Sequence, residues 1–243
     1  MIMPHAAPPA PVSETPPPYP VDSDAKIRQV ATVFHRPDII RMLDDIRTRL
    51  LGDALGVEAL AAEFAKNKTL YAAKEDIGKA VQAVSGTWSG RAADQFTTYA
   101  SRVGEALDKE QSAVGKMSGI LGEVAKTVIH TYAEALRFLG RCATELGKLF
   151  AKGLIAIVTA EVPILDVITS KDVLDTVIDA FSTFVDGVVG LFAKAEEQIG
   201  DFVKNANALV QNNTDFPEIP ELPGNSGMDN DKQWKINPSA FPE

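Results

Sequence analysis

Cysteine is almost missing from this chain. Cys142 stands alone, which excludes an internal disulfide framework and any zinc site built on cysteines. Histidine is nearly as scarce: positions 5, 35 and 130 are too few and too scattered for a metal cluster, and no cofactor is expected. Positive charge is also in deficit, with 24 Lys and Arg against 33 Asp and Glu, a net −9 over 243 residues. The chain therefore lacks the cationic surplus that holds a nucleic-acid backbone by displacing counterions. Long hydrophobic runs are missing too. Only 45% of residues are apolar, and charge interrupts the longest stretches within the roughly 18–20 positions of a membrane span. The N-terminus shows neither a basic n-region nor an apolar h-region before its prolines begin, so no secretory signal peptide is expected.

Proline is missing from the middle and crowded at the ends. Eight prolines fall between residues 4 and 20 and five between 217 and 242, whereas Pro163 alone lies between Asp38 and Phe216. Proline removes a backbone donor and is expelled from helix interiors, so the middle is free to be helical and the ends are not. Charge follows the same division, with −2 on residues 1–23 and −4 on residues 212–243. Both ends are expected as extended, disordered, Pro-rich tails.

Between the tails the pattern is that of an all-α protein. A first helical stretch over 24–52 is expected to reset at Arg36-Pro37-Asp38, where proline suits a helix start. A second helix of about thirty residues, roughly 45 Å long, is expected from Ala54 to Ser85, a third from Arg91, and a fourth from Asp172 to about Gln211 with Ser170 as its N-cap. In the third helix Phe96, Ala100, Val103, Leu107, Val114, Met117, Leu121, Val124, Val128, Ala135, Phe138 and Cys142 recur in steps of four and three, a coiled-coil seam. Glu110 and Thr131 interrupt it. The fourth helix repeats the rule with Leu174, Val177, Phe181, Phe184, Val188, Leu191, Ala195, Phe202, Ala206 and Leu209. Such seams require partner helices, in the same chain or another.

The segment from Val84 to Phe96 reads as the corner of a helical hairpin. Gly86 and Gly90 relax the backbone, Ser89 is a candidate cap for the incoming helix, and Trp88 lies at the tip. An indole there either closes the hairpin or meets a partner; full burial would make Trp88→Ala cost about 3–5 kcal/mol. Ala92, Ala93 and Phe96 continue the packed face.

Trp88-Ser89-Gly90, flanked by an Ala-rich amphipathic arm before and a Gly/Ala/Asp/Phe helix start after, resembles the WxG-motif superfamily. These are the ESAT-like helical-hairpin proteins exported by type VII secretion systems of actinobacteria and firmicutes. The likeness covers roughly residues 54–138. It implies a helical bundle, formed as a homodimer, as a heterodimer or partly within one chain. It also implies export without a cleaved signal, in a family many of whose members have no enzymatic activity of their own. Export in that family uses a Tyr-x-x-x-Asp/Glu tail motif beside the Trp-x-Gly of a partner. The one literal match here is Tyr71 to Glu75, seventeen residues before Trp88, about 25 Å away along a helix. That placement makes Tyr71 an expected packing residue: either a partner supplies the export signal, or the protein stays with the machinery, or the signal lies in the tail.

Other candidate chemistry reads as ordinary structure. His130 and Glu134 lack a third ligand, Cys142 falls on its apolar seam, and the pairs Asp44-Asp45 and Glu196-Glu197 do not face one another on a helix. Asp94 with Gln95 suits either recognition or a helix dipole. No phosphate loop and no Ser/His/Asp arrangement is present, so an enzyme ranks last. In the C-terminal tail, Trp234, Ile236 and Phe241 suggest either a docking peptide or a strap over the bundle.

The resulting division is a Pro-rich tail over 1–23, an N-terminal helix over 24–52, a WxG-type hairpin over 54–141, amphipathic helices over 142–211 and an acidic tail over 212–243. The leading expectation is a non-enzymatic interaction protein, cytoplasmic until it reaches the cell envelope or exterior by a signal-independent route. It would act as an exported substrate or as the carrier of a helical partner, and would engage the type VII machinery. Its site residues are Trp88, Ser89, Gly90 and Phe96. The runner-up is a secreted membrane-active or pore-forming effector using residues 149–209.

Overall fold

The structure, a computed structural model, describes residues 15–151, 171–211 and 230–240 with scattered positions between 218 and 228. Ser170, Phe241 and the apolar stretch over 152–168 lie outside the described residues. Helix accounts for 85% of the structure, in the order α1 (Val21–Val33), α2 (Pro37–Asp45), α3 (Ala54–Lys66), α4 (Thr69–Thr87), α5 (Arg91–Ala151) and α6 (Lys171–Gln211). A π-helical turn, Ile46–Leu50, extends α2. The one ladder among the described residues pairs β1 (Trp88–Ser89) with β2 (Lys235–Ile236), antiparallel, and short 3-10 turns at Asp231–Gln233 and Pro238–Ala240 flank β2.

Contacts group the chain into two compact units. One contains Val12–Glu58 and Gly122–Phe202, the other Ala59–Leu121 and Val203–Glu243. In the first, α1 carries Asp22 and Asp24 in its opening turn, where carboxylates complement the helix dipole, and buries Ile27, Val30 and Ala31 on one face. Pro37 opens α2 at its first turn, as expected of a residue with no N–H to lose. Ile39, Leu43 and Ile46 from this region meet Leu139, Cys142 and Leu146 of α5 and Val177, Phe181, Phe184 and Val188 of α6 in one apolar cluster. Full burial of each such Leu, Ile, Phe or Val is worth about 1.5–3 kcal/mol. Gly187 packs so closely that a Cβ there would strike the Phe138 ring.

A charged chain ties α1 to α2 in this unit. Asp24 is buried and accepts from the Tyr19 hydroxyl at 2.7 Å and from Arg28 Nε at 2.7 Å. Arg28 reaches on to Asp44 at 2.7 Å. A buried carboxylate is tolerated only when its lone pairs are met, and here Tyr19 and Arg28 meet them. Burial, together with the bond to Asp24, raises the Tyr19 phenol above its ordinary range. Tyr19 is thus anchored at the inner end of the proline-rich segment, and α1 starts at Val21, three residues ahead of Asp24.

The second unit is built from smaller side chains. Ala61, Ala92, Ala93, Ala100, Ala106 and Ala113 are buried, joined by Val103, Leu107 and Leu209. The Ser118 hydroxyl on α5, also buried, donates to Ala61 O of α3 at 2.8 Å. Lys74 of α4 and Asp108 of α5 form an ion pair at 2.6 Å. α4 itself buries no residue; its apolar row Leu70, Ile77, Val81 and Val84 is only half-buried.

The helix expected over Ala54–Ser85 is two helices. Asn67 and Lys68 separate them, and Asn67 Oδ1 accepts from Thr69 N at 3.0 Å, opening α4 with a local side-chain bond of the kind that competes with a continuous helix. Thr131, which interrupts the α5 seam, is buried with its hydroxyl bonded to Thr127 O at 2.7 Å. Leu174 is exposed, and its neighbour Val173 takes the buried place at the start of α6.

Candidate interaction site at the Trp88 turn

α4 ends at Thr87, and Trp88 takes an extended conformation (φ −119°, ψ 151°) with its N–H still bonded to Val84 O. Gly90 has φ +91°, a left-handed value that side chains disfavour, and α5 starts at the next residue. Gly90 O accepts from Asp94 N at 3.1 Å, closing the first turn of α5. Phe96 follows, half-buried.

Ser89 does not cap α5. Its hydroxyl faces β2, 3.4 Å from Lys235 O and 3.5 Å from Ile236 O, long contacts by the standard of hydroxyl hydrogen bonds. Trp88 is 40% exposed and so is neither a closed core residue nor free. Its ring meets Trp234 edge to face, centroids 6.1 Å apart, an arrangement worth about 0.5–1.5 kcal/mol beyond the area it buries. The cost expected for a fully buried indole therefore does not apply. Trp234 Nε1 donates to Met228 O at 2.9 Å, which fixes its orientation.

Residues 230–240 lie as a strap against this turn. β2 pairs Ile236 with Trp88 and Lys235 with Ser89, and Asn237 bonds to the end of α4. Trp234 thus comes together with Trp88, Ser89 and Gly90, while the Ile236 side chain is 60% exposed. Sequence reasoning missed Asn237. Its only local signal is the Asn-Pro-Ser turn that follows, which says nothing of a helix end 150 positions earlier.

The remaining candidates do not gather at this turn. Tyr71, expected to pack, is 64% exposed, and Glu75 pairs with Lys79 at 3.5 Å. His130 is exposed. Asp94 is exposed, and Gln95 Oε1 is buried with no hydrogen-bond partner among the described residues. Burial pushes the Cys142 thiol up to about 12, away from the range of an activated nucleophile. No family model, curated protein or solved structure matches the chain.

Proposed function

We propose that this is a non-enzymatic helical interaction protein of the WxG type, a type VII secretion substrate or the carrier of a co-exported helical protein. On this reading α4, Trp88-Ser89-Gly90 and the first half of α5 form the family's hairpin. The chain is cytoplasmic until it leaves by a signal-independent route. The observation that carries the reading is α4. It is nineteen residues long and buries none of them, yet it carries an apolar row at helical spacing, Leu70, Ile77, Val81 and Val84, that stays half-open. Amphipathic helices in proteins owe most of their stability to packing of the apolar face, so a row left only partly covered suits a second pair of helices.

Light scattering on the full chain, combined with hydrogen exchange, tests this. The expected result is a dimer that Ile77→Asp converts to a helical monomer, with α4 amides exchanging faster once the partner is lost. A monomer whose α4 exchanges fast directs the search to a heterologous partner. A monomer whose α4 amides are as protected as those of α1 would overturn the reading.

A second reading draws on α6. Charge interrupts α6 as expected, at Asp179 and Asp186 among other positions, yet the helix still contains an 18-residue window of mean hydropathy 1.5 with 28% of it buried. Leu174, Ile178 and Val189 stand exposed along it. That helix would be the membrane-seeking element of an effector. Leakage of dye from anionic vesicles favours this reading, and a chain that ignores lipid sinks it.

A further inference from the structure

A helix leaves its last four carbonyls without intrahelical donors. At the end of α4 two of these groups are met by one residue from the far end of the chain. Asn237 N donates to Thr87 O at 2.8 Å, and Asn237 Nδ2 donates to Ser85 O at 3.0 Å. Its Oδ1 accepts from Ser239 N at 3.1 Å and Ser239 Oγ at 3.0 Å, which orients the amide with its NH2 toward the helix. Immediately before it, Lys235 and Ile236 pair with Ser89 and Trp88, and Trp234 lies edge-on to the Trp88 ring. Gly90 leaves the approach clear: a Cβ there would stand 3.1 Å from Gln233 O and against the Lys235 side chain.

These contacts are those of a bound peptide. They are main-chain pairing, a two-point amide clamp and one aromatic edge. Little apolar surface is sealed, since Trp88 is 40% and Ile236 60% exposed. A two-stranded ladder of this length is marginal in water by itself, so the segment is held by recognition of its extended form, as in strand addition to a receptor edge.

We propose that the Trp88–Gly90 turn and the carboxyl end of α4 form a binding site for an extended peptide of the pattern Trp-Lys-Ile-Asn, and that residues 234–237 are its tethered, displaceable occupant. A second protein carrying the same succession of aromatic, basic, aliphatic and Asn residues displaces the strap and takes its bonds. What displacement serves rests on the interaction reading above; the exchange itself does not.

The test uses the full chain and a fluorescently labelled synthetic peptide spanning residues 228–240. The Trp234→Ala/Asn237→Ala chain, with the clamp removed, should bind the peptide. The wild-type chain should bind it at least about tenfold more weakly, because its tethered copy competes at high effective concentration. Ile236→Pro provides a second released chain, and a helical far-ultraviolet spectrum confirms that each variant is folded. The wild-type protein should also show an exciton couplet between its two indoles, lost in Ile236→Pro. Equal affinity in all three chains, or no binding by either released chain, overturns the proposal. Exchange in a chain that is monomeric with a protected α4 would sink the helical-partner reading alone; dimerisation without exchange would sink this one alone.

Discussion

Asp24 shows how a single buried carboxylate is made acceptable. Its oxygens are met by Tyr19 and Arg28, and Arg28 is in turn shared with Asp44 on α2. The residues are thereby coupled, since removing one partner strands a buried charge. Cys142 solves the opposite problem, remaining neutral in an apolar seam. Burial raises its thiol pKa to about 12, against an ordinary value of about 8.5. The folded protein therefore keeps a proton that the unfolded chain releases above the ordinary value. The thiol's contribution to stability is complete below about pH 8.5 and is lost as pH rises toward 12. Native protein at pH 8 should resist a thiol reagent until it unfolds, and Cys142→Ala should show a flatter decline in stability above pH 9. Rapid stoichiometric labelling of the native state would contradict the burial argument.

At the scale of the helix, the periodic rows were largely legible because burial repeats with the helix turn. Val177, Phe181, Phe184 and Val188 are buried on α6, and Ala100, Val103, Leu107, Ala135 and Cys142 on α5, where the three-and-four spacing put them. The Pro37 restart was legible for the same local reason. Two features were not. The break at Asn67-Lys68 depends on one side-chain bond to Thr69, which an Asn inside an otherwise favourable run does not announce. The strap depends on contacts 146 or more positions apart in sequence, for which neighbouring residues hold no signal. Two glycines of α6 give a test of helix packing. Gly187→Ala should destabilise the protein by about 1–3 kcal/mol, since the added methyl meets the Phe138 ring. Gly190→Ala, with nothing within 4 Å, should stabilise it by about 0.5–1 kcal/mol through helix propensity. Urea denaturation of both variants measures the contrast, and equal effects would show that the Phe138 contact carries no weight.

For the whole molecule, the difference between the two units is one of side-chain size. The unit containing α1 and α2 buries Phe, Leu, Ile and Val, whereas the unit containing α4 buries mainly alanine. Alanine contributes much less apolar area per residue, and the hydrophobic term scales with area. The unit with α4 should therefore open first. Both tryptophans lie in it, at positions 88 and 234, so their emission reports that unit while helical ellipticity reports both. In urea the fluorescence midpoint should fall below the ellipticity midpoint, a departure from two-state behaviour. Coincident transitions would mean that the units unfold together.

The strap also sets a clock on synthesis. Ser89 and Lys235 are 146 positions apart, and ribosomes add about 5–20 residues per second. For roughly 7–30 s after the Trp88 turn is made, the residues that will cover it have not been translated. A protein that binds the turn on the nascent chain meets no competitor during that interval, whereas one that arrives after release must displace a ligand already in place.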